Sequence, residues 1–95
     1  MPTTASIQQA LAPVFRSHQV RRAVLFGSYA KGTARETSDI DIFVDSGLRG
    51  LAFYGLLEDV STALGRPVDL IDAAQLEADS PVAGEIRRTG VPIYG

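Results

Sequence analysis

Residues 25–45 read LFGSYAKGTARETSDIDIFVD. Two apolar runs enclose a glycine–hydroxyl turn and a short basic loop. The first run, Val20 to Phe26, is apolar on both faces at Ala23, Val24, Leu25 and Phe26, the pattern of a strand inside a covered sheet. Gly27 and Ser28 end it, and Tyr29 to Lys31 reads as a short helical turn. Gly32 to Ser38 is loop by composition. Beyond it, Ile40, Ile42 and Val44 alternate with Asp39, Asp41 and Phe43, the period of two expected of a second strand.

Working outward, Thr3, Thr4 and Ser6 supply N-cap hydroxyls ahead of Ile7, Leu11, Val14 and Phe15, which share one helical face. This predicts a helix over about 5–17, kinked or split at Pro13, which lacks the N–H that bonds back one turn. On the other side, Ser46, Gly47 and Gly50 break the chain. Leu51, Phe53, Tyr54, Leu56, Leu57, Val60 and Leu64 then fill a helix that stops near Gly65, with more apolar surface than one stripe requires. Pro67 to Ile71 reads as a third strand. Ser80 and Pro81 open a last helix to about Thr89, and Val91 to Tyr94 form a short edge strand. The order α-β-(α)-β-α-β-α-β describes an α/β (α+β) domain over residues 1–95. Its mixed sheet has about four strands, with helices packed mainly on one face and the acids on the less covered face or at a sheet end.

Composition narrows the function. The net charge of −2 gives no global basic footprint for nucleic acid, so direct nucleic-acid binding is not expected. Arg21 and Arg22 read as solvated surface, whereas Lys31 and Arg35 lie within the glycine motif and are read as facing phosphate. The chain has no cysteine, which excludes disulfides and thiolate metal sites. No signal peptide is legible in MPTTASIQQALAPVF, and no stretch approaches the roughly 20 apolar residues of a membrane span. A cytoplasmic location is the default expectation.

The chemistry lies in the glycine turn and the acids. On a strand, Asp39 and Asp41 project the same way, with Cα atoms about 6–7 Å apart, and converging carboxylates suit hard cations such as Mg²⁺. A D-x-D triplet alone also describes an exposed polar strand face. A strand that ends in glycine and opens a helical turn presents unpaired N–H groups to an anion. Gly27 permits close approach of the backbone, and Ser28 can donate its hydroxyl to a phosphate oxygen. The segment is no Walker A loop, because Thr33 and Ala34 follow Gly32. In the third strand, Asp69 lies on the face opposite Val68 and Leu70. There it can join Asp39 and Asp41, to bind metal or to take a proton from an attacking hydroxyl, if the strands are neighbours. Asp72 has the opposite parity and is expected to cap the segment after the third strand, and Asp45 is about 13 Å beyond Asp41. His18, the lone histidine, reads as a complement to the end of the first helix.

Gly27-Ser28, ten intervening residues, Asp39-Ile40-Asp41 and the later Asp69 together resemble the polymerase-β-type nucleotidyltransferase superfamily. Leu25 to Gly32, Gly65-Arg66-Pro67-Val68-Asp69-Leu70 and Gly90-Val91-Pro92-Ile93-Tyr94 are similar to its minimal nucleotidyltransferase (MNT) branch. Lys31 stands where that branch commonly has arginine, keeping charge but losing bidentate geometry. The resemblance implies the small nucleotidyltransferase core, ATP with Mg²⁺ as donor, and Asp39, Asp41 and Asp69 as the acidic triad. It also implies a HEPN ribonuclease toxin as partner, with the MNT chain as antitoxin and AMP transferred to a toxin hydroxyl, a tyrosine in some members. Relatives that modify small molecules carry an added helical domain for the acceptor. The short chain therefore predicts an acceptor supplied by another protein, with the apolar excess of the 51–64 helix as a docking face. Neutralisation by binding alone, and transfer to a small molecule or nucleic acid, are the alternatives.

Overall fold

A computed structural model describes residues 2–95. Helix α1 (Thr4–Ser17) starts with a reciprocal cap: Ser6 N–H donates to Thr3 Oγ1 and Thr3 N–H donates to Ser6 Oγ. Two of the orphan donors of the first turn are thereby satisfied. Ile7, Leu11 and Phe15 are fully buried along one face, each contributing about 1.5–3 kcal/mol by removal from water. Of the expected kink or split at Pro13, the split does not occur; the helix runs through it as one element. Pro13 and Gln9 are both exposed, so water can meet the carbonyl that loses its partner and the ring does not disturb the packed face.

Strand β1 (Arg22–Phe26) leads directly into the short helix α2 (Gly27–Lys31), and β2 (Ile40–Asp45) returns antiparallel to β1. Helix α3 (Leu51–Leu64) is the crossover to β3 (Val68–Asp72), which pairs parallel to β2. A parallel pair requires such a connection. Helix α4 (Pro81–Thr89) precedes β4 (Val91–Tyr94), which pairs antiparallel to β1. Among the described residues this makes one mixed four-stranded sheet in the order β3-β2-β1-β4, and the expected element order and sheet type hold.

Strand alternation divides the core. Ala23, Leu25, Ile40, Ile42, Val44, Leu70 and Ile93 pack with Ile7, Leu11 and Phe15 of α1 and Leu56 and Val60 of α3. Val24, Phe26 and Phe43 form a smaller cluster on the opposite face, partly covered by Ile71, Leu76 and Ile86. Helices α1 and α3 therefore share the main core, while α4 covers part of the second face, and the acidic strand positions open on that second face. His18, at the end of α1, bonds through Nε2 to Asp59 Oδ2 of α3 at 2.7 Å, joining the two core helices. No helix is long and apolar enough to cross a membrane among the described residues.

The expected cap at Asp72 is present and does more than end β3. One carboxylate oxygen accepts from Ser46 N–H and Ser46 Oγ, and the other accepts from Ala74 N–H. Burial pushes the Asp72 carboxyl up, but the bonds from Ser46 and Ala74 and the charge of Arg21 outweigh it and hold it below its ordinary 3.8. A folded value below the unfolded one stabilises the protein above 3.8, and the gain disappears as pH falls through the folded value. Replacing Asp72 by Ala should therefore cost about 2–4 kcal/mol near neutrality, and much less in acid. Urea unfolding at the two pH values reads this directly; an equal cost at both would refute it.

Candidate active site

Gly27 is the pivot. It has φ +72° and is buried, and a Cβ built on it would run into Asp41 Oδ2. The strand register explains the proximity. Phe26 faces Asp41 across the β1–β2 pair, so the chain turns into α2 immediately beside that carboxylate. The N-cap of α2 is Phe26, which offers no side-chain acceptor, and the first-turn N–H groups of Gly27 and Ser28 are left without a capping side chain. The turn closes behind them: Thr33 N–H donates to Ser28 O at 3.0 Å.

Asp41 and Asp69 are register partners on the parallel strands β2 and β3, so their side chains leave the same face of the sheet. Asp39 is exposed, one residue ahead of β2 rather than inside it. Burial first, then the charges of Asp69, Asp39 and Glu85, raise the Asp41 carboxyl above its ordinary 3.8. Asp69 and Asp39, both expected from the sequence, thus act on Asp41 in the folded chain. Their side chains do not form a closed ligand cluster: no three Asp, Glu or His groups stand in metal-holding arrangement among the described residues. The donor chemistry nonetheless fits Mg²⁺, which takes oxygen ligands and keeps water and phosphate oxygens in its shell. A bound cation would favour the charged form of Asp41 against both its burial and the neighbouring negative charges.

Glu85 is the acid that sequence reasoning missed. It projects from α4 and pairs with Lys31 Nζ at 3.0 Å and with Arg88 Nη2 at 3.3 Å. The hydrogen bond from Lys31 is the strongest influence on it. Burial opposes that bond and the charges of Lys31 and Arg88 add to it, so the carboxyl lies below its ordinary 4.5. Lys31, expected to face phosphate, is thus turned to Glu85. Arg35 is exposed in the loop, with its backbone N–H bonded to Ser38 Oγ. No local signal links residues 31 and 85; the pair exists only because α4 folds back against α2. Asp45, set outside the site, pairs instead with Arg21 at 3.3 Å. Tyr29 is buried in the main core, and its hydroxyl accepts from Arg66.

This arrangement agrees with comparison to known proteins. The family described as polymerase beta, nucleotidyltransferase matches residues 9–95. The chain belongs to this nucleotidyltransferase family. The Methanocaldococcus jannaschii protein MJ0435, which carries a protein adenylyltransferase name, is 38% identical over 68 residues, covering 68% of this chain and 72% of that one. The protein adenylyltransferase MntA of Shewanella oneidensis is 44% identical over 73 residues, 75% of this chain, but this chain spans only 51% of MntA. Among solved structures, a chain of a toxin–antitoxin complex with AMP-PNP superposes with a TM-score of 0.79 at 27% identity. The match covers 93% of this nucleotidyltransferase and 73% of that chain.

Proposed function

We propose that this chain is a Mg²⁺-dependent adenylyltransferase that moves AMP from ATP to a hydroxyl, a tyrosine in our reading, of a HEPN-type toxin, and so serves as its antitoxin. The observation that carries this reading is the seating of Asp41 against Gly27 and in register with Asp69. That geometry supports reading the glycine turn as the phosphate holder beside a group of carboxylates, within a family of nucleotidyltransferases. The adenylyltransferase names of the relatives support AMP as the group transferred. The solved neighbour with AMP-PNP supports nucleotide binding and a toxin as the protein partner.

In this reading Gly27 and Ser28 hold the β and γ phosphates through backbone N–H groups and the Ser28 hydroxyl. Lys31 and Arg35 are the cations of the same turn and loop, Lys31 exchanging Glu85 for phosphate. Asp39, Asp41 and Asp69 are the oxygen donors for Mg²⁺, which when bound supplies charge neutralisation at the phosphates. The acceptor oxygen attacks the α-phosphorus. Its new P–O bond forms as the bond to the bridging β-phosphate oxygen breaks, and pyrophosphate leaves. The acceptor's proton passes to Asp69, which is exposed on the edge strand β3.

Incubating the protein with its toxin, Mg²⁺ and ATP labelled at the α-phosphate is expected to label the toxin. The Asp39→Asn/Asp41→Asn double variant should give no label. Equal labelling by both, or none by either, would overturn the reading. Exposed Leu51 and Tyr54 on α3 favour a second mode, neutralisation by contact alone. Full protection of cells by the double variant would establish that second mode.

A further inference from the structure

Arg66 lies in the link between α3 and β3, three residues ahead of Asp69. Its Nη1 donates to the Tyr29 hydroxyl at 3.0 Å and to the Glu36 carbonyl at 3.1 Å. Tyr29 directly follows Ser28 in the turn. Glu36 lies in the loop 32–39, whose two ends are the turn and the first carboxylate. The remaining hydrogen bonds of that loop among the described residues are local. Gly32 and Thr33 N–H groups donate back to Tyr29 and Ser28 carbonyls, Arg35 N–H donates to Ser38 Oγ, and Ser38 N–H donates to the Arg35 carbonyl. Arg66 is therefore the donor that reaches this loop from a distant part of the chain.

We propose that Arg66 is a positioning residue, which sets the spacing between the phosphate turn at Gly27-Ser28 and the carboxylates at Asp39 and Asp41. The inference rests on the nucleotide-site reading above. A guanidinium suits the task because it is always charged, and a single nitrogen can hold two acceptors at fixed directions. The Tyr29 ring is fixed in the core, so one hydrogen bond of Arg66 is anchored and the other holds loop backbone to that anchor. Leu70 and Val68 seat the start of β3 in the same core. Through Arg66 the turn, the loop and the strand bearing Asp69 are held to one another before any ligand arrives, which is the preorganisation that a nucleotide site needs. An ammonium at this position keeps the charge but not the fixed directions, so a lysine separates positioning from simple electrostatic attraction.

The test uses the full chain without partner. Amide hydrogen exchange over residues 33–39 and binding of AMP-PNP with Mg²⁺ are measured for wild type, Arg66→Met, Arg66→Lys and Tyr29→Phe. Arg66→Met is expected to speed exchange in the loop about tenfold and to weaken AMP-PNP binding about tenfold. Exchange at β1 and β2 should stay as in wild type. Arg66→Lys should behave like Arg66→Met, and Tyr29→Phe should fall between. Wild-type loop exchange or wild-type AMP-PNP affinity in Arg66→Met would overturn the inference. If Arg66→Met does not fold, the same two outcomes in Arg66→Lys decide it. A wild-type chain that binds no AMP-PNP would overturn the nucleotide reading itself, which distinguishes that failure from failure of the Arg66 role alone.

Discussion

Asp41→Asn is expected to reduce AMP transfer by about three orders of magnitude or more while leaving the melting temperature at or above that of wild type. The loss follows from the proposed role of Asp41 as an oxygen donor for Mg²⁺: metal-assisted charge stabilisation is worth several kcal/mol, and about 4 kcal/mol is a thousandfold in rate. The stability half follows from the environment of Asp41. Burial, then Asp69, Asp39 and Glu85, raise its carboxyl in the folded state. A group raised on folding favours the native state in acid and loses that contribution as pH rises through its folded value. An amide avoids this cost. The advantage of Asn near neutrality should shrink as pH falls through the raised folded value and vanish below 3.8, where the wild-type group is protonated in the unfolded chain as well. Thermal unfolding across that range, paired with the labelling assay, checks both halves. A variant that melts well below wild type, or one that still transfers AMP at a normal rate, would contradict the assignment of Asp41 to function over stability.

Gly27→Ala should be strongly damaging to both stability and activity, costing about 2–4 kcal/mol of stability and about a hundredfold in transfer. Two penalties coincide there. The φ of +72° disfavours any side chain, and the new Cβ would contact Asp41 Oδ2. Relief requires moving either the turn or the carboxylate, and both belong to the proposed site. Gly32→Ala is the matched control. Its φ is +75°, but a Cβ there meets nothing within 4 Å. It should cost only about 1 kcal/mol from the left-handed backbone and keep most of the transfer. Chemical denaturation and the labelling assay compare the two. Equal effects from both glycines would mean that backbone strain, rather than the approach to Asp41, makes Gly27 necessary.

Much of the fold could be read along the chain because its signals are local. The alternation at Ile40, Ile42 and Val44 predicted the face they bury. The Ser80-Pro81 start and the Gly90 stop predicted α4, found at Pro81–Thr89. At Pro13 the helix stays unsplit with Pro13 and Gln9 both exposed, so water can meet the carbonyl that loses its partner. Strand parity separated Asp69 from Asp72, and the structure places Asp72 as a cap and Asp69 opposite Asp41.

The candidate site divides along the same line. Residue spacing and backbone period specified the strand, the glycine turn and the acids, since each depends on neighbours a few residues away. Three features could not be seen that way. They are the contact between Gly27 and Asp41, the hold of Glu85 on Lys31, and the bridge from Arg66 to Tyr29 and Glu36. Each joins elements brought together only when the β1–β2 pair forms, α3 crosses to place β3 beside β2, and α4 folds back on α2. Local periodicity names which groups face a common side. Whether those groups meet, and which partner holds them, is set by register and packing between segments far apart in the chain, where the close approach of a carboxylate to a residue without a side chain is decided within a single methyl group.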